Sequence, residues 1–261
     1  MLDLHIHILP GFDDGARTME DSLEMARVAA DDGVSTIAAT PHVMTGVYDT
    51  AKNDIVNAVK ELNALLTEKQ MPLSILPGAE YYLEPELSRY LAQGNLLTIN
   101  NTGVYLLVEL PSAFIPQYTA DLLYELQLQG VTPIVAHPER NAGIISKPGL
   151  LYDLVERGIL TQITSASITG MFGSTVRKTA LRFVKDGIAH IIASDAHSPH
   201  GRSPVLSKAW TQIENHYGQQ LANLLFIENP RQIIAGQPVE TDLKPKTYSH
   251  RQSFFKKLLG R

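Results

Sequence analysis

The stretches Leu2-Asp3-Leu4-His5-Ile6-His7 and His190-Ile191-Ile192-Ala193-Ser194-Asp195-Ala196-His197 lie near opposite ends of the chain and share one design. Each is a short apolar run that closes on imidazoles or a carboxylate. Similar apolar runs occupy residues 35–40, 73–76, 104–110, 132–136 and 160–164, and with 2–7 and 190–194 they make seven. Most are continuous rather than alternating, as expected of parallel strands covered on both faces. Helical patterns separate them. Thr18-Met19-Glu20-Asp21 resembles a capping box, with Gly33 as a stop. Residues 50–69 carry Ile55, Val59, Leu62 and Leu66 at helical spacing, and 116–128, 174–186 and 203–217 give further helices. Pro148 sits where a first helical turn tolerates proline, ahead of the apolar stripe Leu150, Leu151, Leu154 and Val155 and of Gly158. Strands each followed by a helix predict an α/β fold with one closed or nearly closed parallel barrel. An open doubly wound sheet is the competitor, and no G-x-G-x-x-G follows any strand to favour it.

Ligand-type residues recur at the carboxyl ends of these strands: His5 and His7, His42, Glu80, Glu109, His137, and Asp195 with His197. In a parallel barrel those ends converge on one mouth, where active sites of this architecture sit. Taken singly, a carboxylate after a strand is as often a helix N-cap, and a strand-end histidine a hydrogen-bonded loop residue. That bland explanation has to hold independently at six strands. His5-x-His7 also places two imidazoles on one side of a strand, within reach of one ion. His190 opens a strand and reads as structural, while His200, His216 and His250 read as surface residues. The chain has no cysteine, which removes thiolate metal sites, Fe–S clusters and cysteinyl nucleophiles. Imidazole plus carboxylate suits Mn, Fe, Zn or Co. The set exceeds what one ion needs, so two or three divalent ions are expected. Two ions about 3.5–4 Å apart clamp a phosphoryl group during attack by activated water. Phosphate-ester hydrolysis is therefore the first reading.

The 261 residues are 44% apolar and 19% charged, in keeping with a globular protein able to bury a sizeable core. Formal net charge is −5. Residues 241–261 hold six basic side chains against Asp242, a surplus of +5, so residues 1–240 carry −10. A body this acidic argues against nucleic-acid binding. The start Met1-Leu2-Asp3-Leu4-His5 lacks the basic and apolar regions of a signal peptide, and no stretch has the composition of a membrane span. A cytoplasmic protein is expected.

The motifs in order also carry a resemblance. His5-Ile6-His7 followed by Asp13-Asp14-Gly15 looks like the opening of the PHP (polymerase and histidinol phosphatase) superfamily. Ala39-Thr40-Pro41-His42, Pro77-Gly78-Ala79-Glu80, Ala136-His137-Pro138-Glu139-Arg140, Gln162-Ile163-Thr164-Ser165 and Ser194-Asp195-Ala196-His197 leading to Gly201-Arg202 narrow it. Together they resemble the manganese-dependent protein-tyrosine phosphatases of Gram-positive capsule and exopolysaccharide loci, the CpsB/CapC type. The resemblance runs from residue 1 to about 236. It implies a distorted (β/α)7 TIM-like barrel, the PHP fold, as a single domain over 1–240, with three ions in its mouth.

Carried over by position, the resemblance gives His5, His7, Glu80 and Asp195 to a first ion. Glu80, His42 and His137 go to a second, and Asp14, Glu109 and His197 to a third. Arg140 and Arg202 match phosphate-binding arginines, although alone they read equally well as surface salt-bridge residues. Val43 stands where many relatives carry a polar or basic residue. The implied reaction is phosphotyrosine hydrolysis by a metal-bridged hydroxide, with His42 or Asp195 as candidate proton donor to the leaving oxygen. The implied partner is the tyrosine-phosphorylated tail of a membrane-associated autokinase. A small-molecule phosphatase such as a histidinol-phosphate phosphatase, and a non-catalytic regulatory module, are the alternatives. In the tail, Phe254, Phe255, Leu258 and Leu259 share a helical face beside Lys256 and Lys257. Residues 250–261 thus read either as a basic amphipathic contact to the inner face of the plasma membrane or as a frayed or docked terminus.

Overall fold

The computed structural model describes residues 1–239. In chain order the elements are β1 (Leu2–Ile6), α1 (Met19–Asp31), β2 (Thr36–Ala39), β3 (His42–Val43), α2 (Lys52–Glu68), β4 (Ser74–Pro77), β5 (Glu80–Tyr82), α3 (Leu87–Ala92) and β6 (Tyr105–Glu109). Next come α4 (Thr119–Leu128), β7 (Thr132–Ala136), α5 (Ala142–Ser146), α6 (Gly149–Glu156), β8 (Leu160–Thr164), α7 (Ser165–Thr169) and α8 (Ser174–Lys185). The series ends with β9 (Ile191–Ala193), α9 (Ser207–Tyr217), α10 (Gln219–Asn223), a π-helical turn (Leu224–Glu228) and α11 (Asn229–Ile234).

All strand pairings are parallel: β1–β2–β4 in one sheet and β3–β5–β6–β7–β8–β9 in the other. Two of the seven expected strands are each broken in two. β2 and β3 are interrupted at Thr40-Pro41, where proline has no N–H to donate, and β4 and β5 at Gly78-Ala79. The ring closes between the ends of the chain. His7 N donates to Ala196 O at 2.9 Å, and Asp195 N donates to His5 O at 2.8 Å. A parallel bridge joins Ile6 and Ala196. The open doubly wound sheet is thereby excluded, and the molecule is a seven-position α/β barrel. The helices at 50–69, 116–128, 174–186 and 203–217 are present with trimmed ends. Thr18 caps α1 through Asp21 N, but Asp21 reaches back to Arg17 N rather than to the cap residue itself.

The barrel interior is packed by Leu4, Ala38, Ile99, Tyr105, Leu107, Ile134, Ala136, Leu160 and Ile191, and Ile233 of α11 plugs its floor. A second, larger cluster lies between strands and helices, with Ile37, Leu62, Leu106, Val135 and Phe183 fully buried. Along β6 the two sets alternate as pleating requires, which sends Glu109 into the mouth. β1 breaks that alternation. Its pairing with β2 shifts register between Asp3 and Ile6. Leu4 belongs to the interior and Ile6 to the outer cluster. The bulge re-aims the strand, so His5 and His7 follow Leu4 into the barrel.

The loop after β1 folds back on it, with Ala16 N on His7 O at 3.0 Å. A Cβ at Gly15 would lie 2.2 Å from His7 O and 2.5 Å from His7 Cβ, so only glycine fits there. Gly15→Ala is expected to push His7 out of register and to cost about 1–3 kcal/mol by urea unfolding. Ile233→Ala should cost about 2–5 kcal/mol by the same measurement.

His190 supplies a pH dependence remote from the mouth. It is buried, and burial pushes its pKa down from the ordinary 6.5 to about 4. Its Nδ1 accepts from Thr161 N at 3.0 Å. Between those two values the unfolded chain binds the extra proton, so stability falls as pH drops. Between about pH 7 and about pH 5 the wild type should lose about 2 kcal/mol more than His190→Gln, read as the difference between their urea unfolding curves.

Candidate metal centre at the barrel mouth

All nine candidate ligands meet at one end of the barrel. His5 and His7 come from β1, His42 from β3, Glu80 from β5, Glu109 from β6 and His137 from the end of β7. Asp195 and His197 come from the turn after β9, and Asp14 from the loop between β1 and α1. The imidazoles are in contact: ring centroids of His7 lie 3.8 Å from His197, 4.4 Å from His42 and 5.2 Å from His5. His137 and Asp195 adopt left-handed backbone, with φ of 32° and 52°. Left-handed non-glycine residues cost of the order of 1–3 kcal/mol and cluster at functional sites.

Glu80 is the hub. It is fully buried, and its Oε2 has no hydrogen-bond partner. Yet His42 Nδ1, His5 Nε2 and His7 Nε2 stand 3.0, 3.1 and 3.4 Å from that oxygen. Its Oε1 faces His137 Nε2 at 3.0 Å, and Glu109 Oε1 lies 3.7 Å from the same nitrogen. At the outer side, Asp14 Oδ1 is 3.4 Å from His197 Nε2 and 3.7 Å from His42 Nε2.

The tautomers identify which nitrogens are free. His5 Nδ1 donates to Gln162 Oε1 at 2.8 Å, and His7 Nδ1 donates to Asp13 Oδ2 at 2.6 Å. His197 Nδ1 donates to Asp195 O at 3.0 Å. Each of these rings, when neutral, therefore presents an Nε2 lone pair to the mouth. His5 Nε2 and His7 Nε2 face each other at 3.2 Å, and two lone pairs so placed need a cation between or beside them. The donor set thus fits divalent ions. Among the described residues, three groups of donor atoms lie close enough to hold one: His5, His7 and Glu80; His42, Glu80 and Glu109; and His7, Asp14, His42 and His197.

The electrostatics have the same origin. For Glu80, burial alone would raise the pKa, but the charge of His5 and the close approach of His137, His42 and His5 hold it well below the usual range. Asp195 is likewise held well down against burial, by His5, His7, His137 and Arg202. Burial opposes the charged form of His7, but Asp13, Asp195 and Glu80 outweigh it, and its pKa rises well above the ordinary value. His5 is raised in the same manner, with Glu80 and Asp195 overcoming burial. Burial, followed by the adjacent Glu80 charge, raises Glu109.

Asp195 joins the imidazoles to the arginines. Its Oδ1 lies 3.5 Å from both His5 Nε2 and His7 Nε2. Its Oδ2 accepts from Arg140 Nη1 and, at 2.6 Å, from Arg202 Nη2. Arg140 sits on the 3₁₀ turn Pro138–Arg140 after β7, and Arg202 on the loop between β9 and α9. Val43 points to an adjoining open groove of about 520 Å³ that it shares with Lys52, Tyr82 and Glu84.

Two supporting residues were not among the sequence candidates. Asp13 holds His7 Nδ1, accepts from His42 N at 2.8 Å and turns the loop through Gly15 N at 2.9 Å. Gln162 holds His5 and also accepts from His137 N at 3.3 Å. Both stand in the quoted motifs, but only the fold shows that they orient ligands. The tail residues Phe254, Phe255, Leu258 and Leu259 lie outside the described residues.

Known proteins resemble this chain in sequence and fold. Tyrosine-protein phosphatase YwqE of Bacillus subtilis is 41% identical over 239 residues, covering 92% of this chain and 93% of that protein. Tyrosine-protein phosphatase CpsB of Streptococcus agalactiae is 30% identical over 240 residues, covering 90% and 98%. A solved structure described among those of YwqE from Bacillus subtilis and CpsB from Streptococcus pneumoniae, metal-dependent tyrosine phosphatases, superposes with a TM-score of 0.89 at 41% identity, covering 92% of this chain and 96% of that one. A β-aspartyl dipeptidase from Fervidobacterium islandicum superposes with a TM-score of 0.52 at 13% identity, over 91% of this chain and 74% of that one, a likeness of fold alone. The family model for capsular polysaccharide synthesis, CpsB/CapC, matches residues 1–235, and the chain belongs to that family.

Proposed function

We propose that this protein is a metal-dependent protein-tyrosine phosphatase whose ions are manganese and whose substrate is the tyrosine-phosphorylated tail of an autokinase that controls polysaccharide assembly. The observation that carries the reading is Asp195, which presents one oxygen to the imidazole–carboxylate cluster and the other to two arginines. Ligand nitrogens and phosphate-binding cations thus share a single side chain. The likeness to relatives named as tyrosine phosphatases supports the same substrate class.

His5, His7, Glu80 and Asp195 would hold one ion. Glu80, Glu109 and His137 would hold a second, and Asp14, His42 and His197 a third. This assignment takes His42 with Asp14 and Glu109 with His137, where the resemblance takes His42 with Glu80 and Glu109 with Asp14; His42 Nε2 lies 3.7 Å from Asp14, its Nδ1 3.0 Å from Glu80, and Glu109 Oε1 3.7 Å from His137 Nε2. Bound divalent ions supply Lewis acidity toward phosphoryl oxygens and lower the pKa of water. Three of them outweigh the four carboxylates, and with the arginines they leave the mouth positive toward a phosphate dianion.

The chain's own groups then have separable tasks. Arg140 and Arg202 bind and orient the free phosphoryl oxygens through their planar donor forks. Asp13 and Gln162 keep His7 and His5 in the tautomer that offers Nε2. Asp195, held anionic by His5 and His7 and also paired with two guanidiniums, supplies no proton at neutral pH. Both ring nitrogens of His42 face carboxylates, so neither proton-donor candidate is free for that task. A tyrosyl leaving group, whose conjugate acid has a pKa of about 10, departs with little protonic help, which an alkyl alcohol cannot do.

Four outcomes test the reading. EDTA should abolish hydrolysis of p-nitrophenyl phosphate and of a phosphotyrosine peptide, and added manganese should restore both; full rates after chelation and dialysis would overturn it. Gln162→Ala should raise the manganese concentration for half-maximal activity about 10- to 100-fold while leaving kcat near wild type at saturating metal. Rates should fall steeply from phosphotyrosine to phosphoserine and histidinol phosphate, and equal rates on all three would remove the leaving-group argument. Because His5 and His7 hold their protons more tightly than ordinary imidazoles, protons compete with the ion for those nitrogens. Apparent manganese affinity, measured by isothermal titration calorimetry, should therefore fall as pH is lowered.

A further inference from the structure

Phe172 lies in the turn Gly170-Met171-Phe172-Gly173 between α7 and α8. Gly170 and Gly173 have φ of 94° and 90°, a region that side chains with a Cβ rarely enter. The two glycines fold the segment tightly and fix where its tip stands. Met171 is 56% exposed, and Phe172 is half-buried. The ring of Phe172 has a reason to be there. The guanidinium carbon of Arg140 lies 4.7 Å from its centroid, and that of Arg202 lies 6.0 Å away.

Both guanidiniums also donate to the same oxygen, Asp195 Oδ2. Two cations drawn to one carboxylate oxygen repel each other, and that carboxylate offsets only one of the two charges. Arg202 Nη2 also donates to Asp195 O at 3.0 Å, but its Nε is buried and has no hydrogen-bond partner, so one edge of that guanidinium is left to the ring. A second carboxylate would order the pair but would cancel the positive charge a phosphate needs. An aromatic ring attracts cations through its quadrupole and carries no net charge. It orders the arginines and leaves their charge for the ligand.

We propose that Phe172 is a positioning residue whose ring holds Arg140 and Arg202 in the orientation that receives a phosphate dianion. The proposal rests on the phosphatase reading above. Its role is to act through the arginines, so it should affect phosphate recognition and leave metal loading alone.

The test uses the full-length, manganese-saturated enzyme and its variants Phe172→Leu, Phe172→Ala and Phe172→Tyr. The measurements are KM and kcat for p-nitrophenyl phosphate, the inhibition constant of inorganic phosphate, metal content and Tm. Leucine keeps an apolar bulk without a π-face. Phe172→Leu and Phe172→Ala should both raise KM and the phosphate inhibition constant about 5- to 30-fold, with metal content and Tm unchanged. Phe172→Tyr should return both constants to within about threefold of wild type. In an Arg140→Ala, Arg202→Ala background, Phe172→Leu should shift the affinity for inorganic phosphate, read by calorimetry, less than about twofold, since the groups it acts through are gone. Wild-type constants in Phe172→Leu, failure of tyrosine to restore them, or an undiminished effect in the arginine-less background would overturn the proposal. A wild-type enzyme that is inactive on aryl phosphate would instead overturn the phosphatase reading on which it stands.

Discussion

A buried carboxylate oxygen that faces three imidazole nitrogens and has no hydrogen-bond partner is the constraint on which this molecule turns. Glu80 occupies a position where an isolated ionised carboxyl is very costly. Protonation would relieve the cost, but the surrounding imidazoles hold the group ionised. Only concentrated positive charge balances Glu80, Asp195, Glu109 and Asp14 together. The closed ring of parallel strands brings those groups to one rim, and the bulge in β1 turns two imidazoles inward to meet them. Asp13 and Gln162 then settle which nitrogen of each ring looks at the cluster. The fold thus stores a cation site in its covalent pattern, and departures from regular backbone at His137 and Asp195 are tolerated in its service.

Much of this was legible in the chain because it depends on strand ends. Continuous apolar runs mark covered parallel strands, and the residues just after each run must lie at the mouth. That reasoning places His5, His7, His42, Glu80, Glu109, His137, Asp195 and His197 together without coordinates. It misses β3 and β5, since two- and three-residue strands that resume after a proline or a glycine leave no periodic signal. It misses the short helices α5 and α7 for the same reason. The grouping of ligands is also beyond it. Whether Glu109 lies nearer His137 or Asp14 depends on barrel geometry across strands.

The supporting residues were hidden differently. Asp13 and Gln162 are ordinary polar residues until the fold brings them to the far nitrogens of His7 and His5. Phe172 is hidden further still, because a phenylalanine in a glycine-flanked turn reads as a loop hydrophobe. Its meaning comes from Arg140, some thirty residues earlier, and Arg202, thirty residues later, converging on it. Contacts between loops of different strands carry no local imprint, so specificity elements of a barrel mouth are the last to be read from sequence.

The floor of the barrel has a consequence for how the enzyme stands in its surroundings. Val239 packs beside the strand starts at Tyr105, Thr132 and Leu160, against the plug formed by α11. The polypeptide therefore departs from the pole opposite the reaction centre. The described C-terminal segment thereby leaves the mouth clear, and α11 serves the interior of the barrel instead.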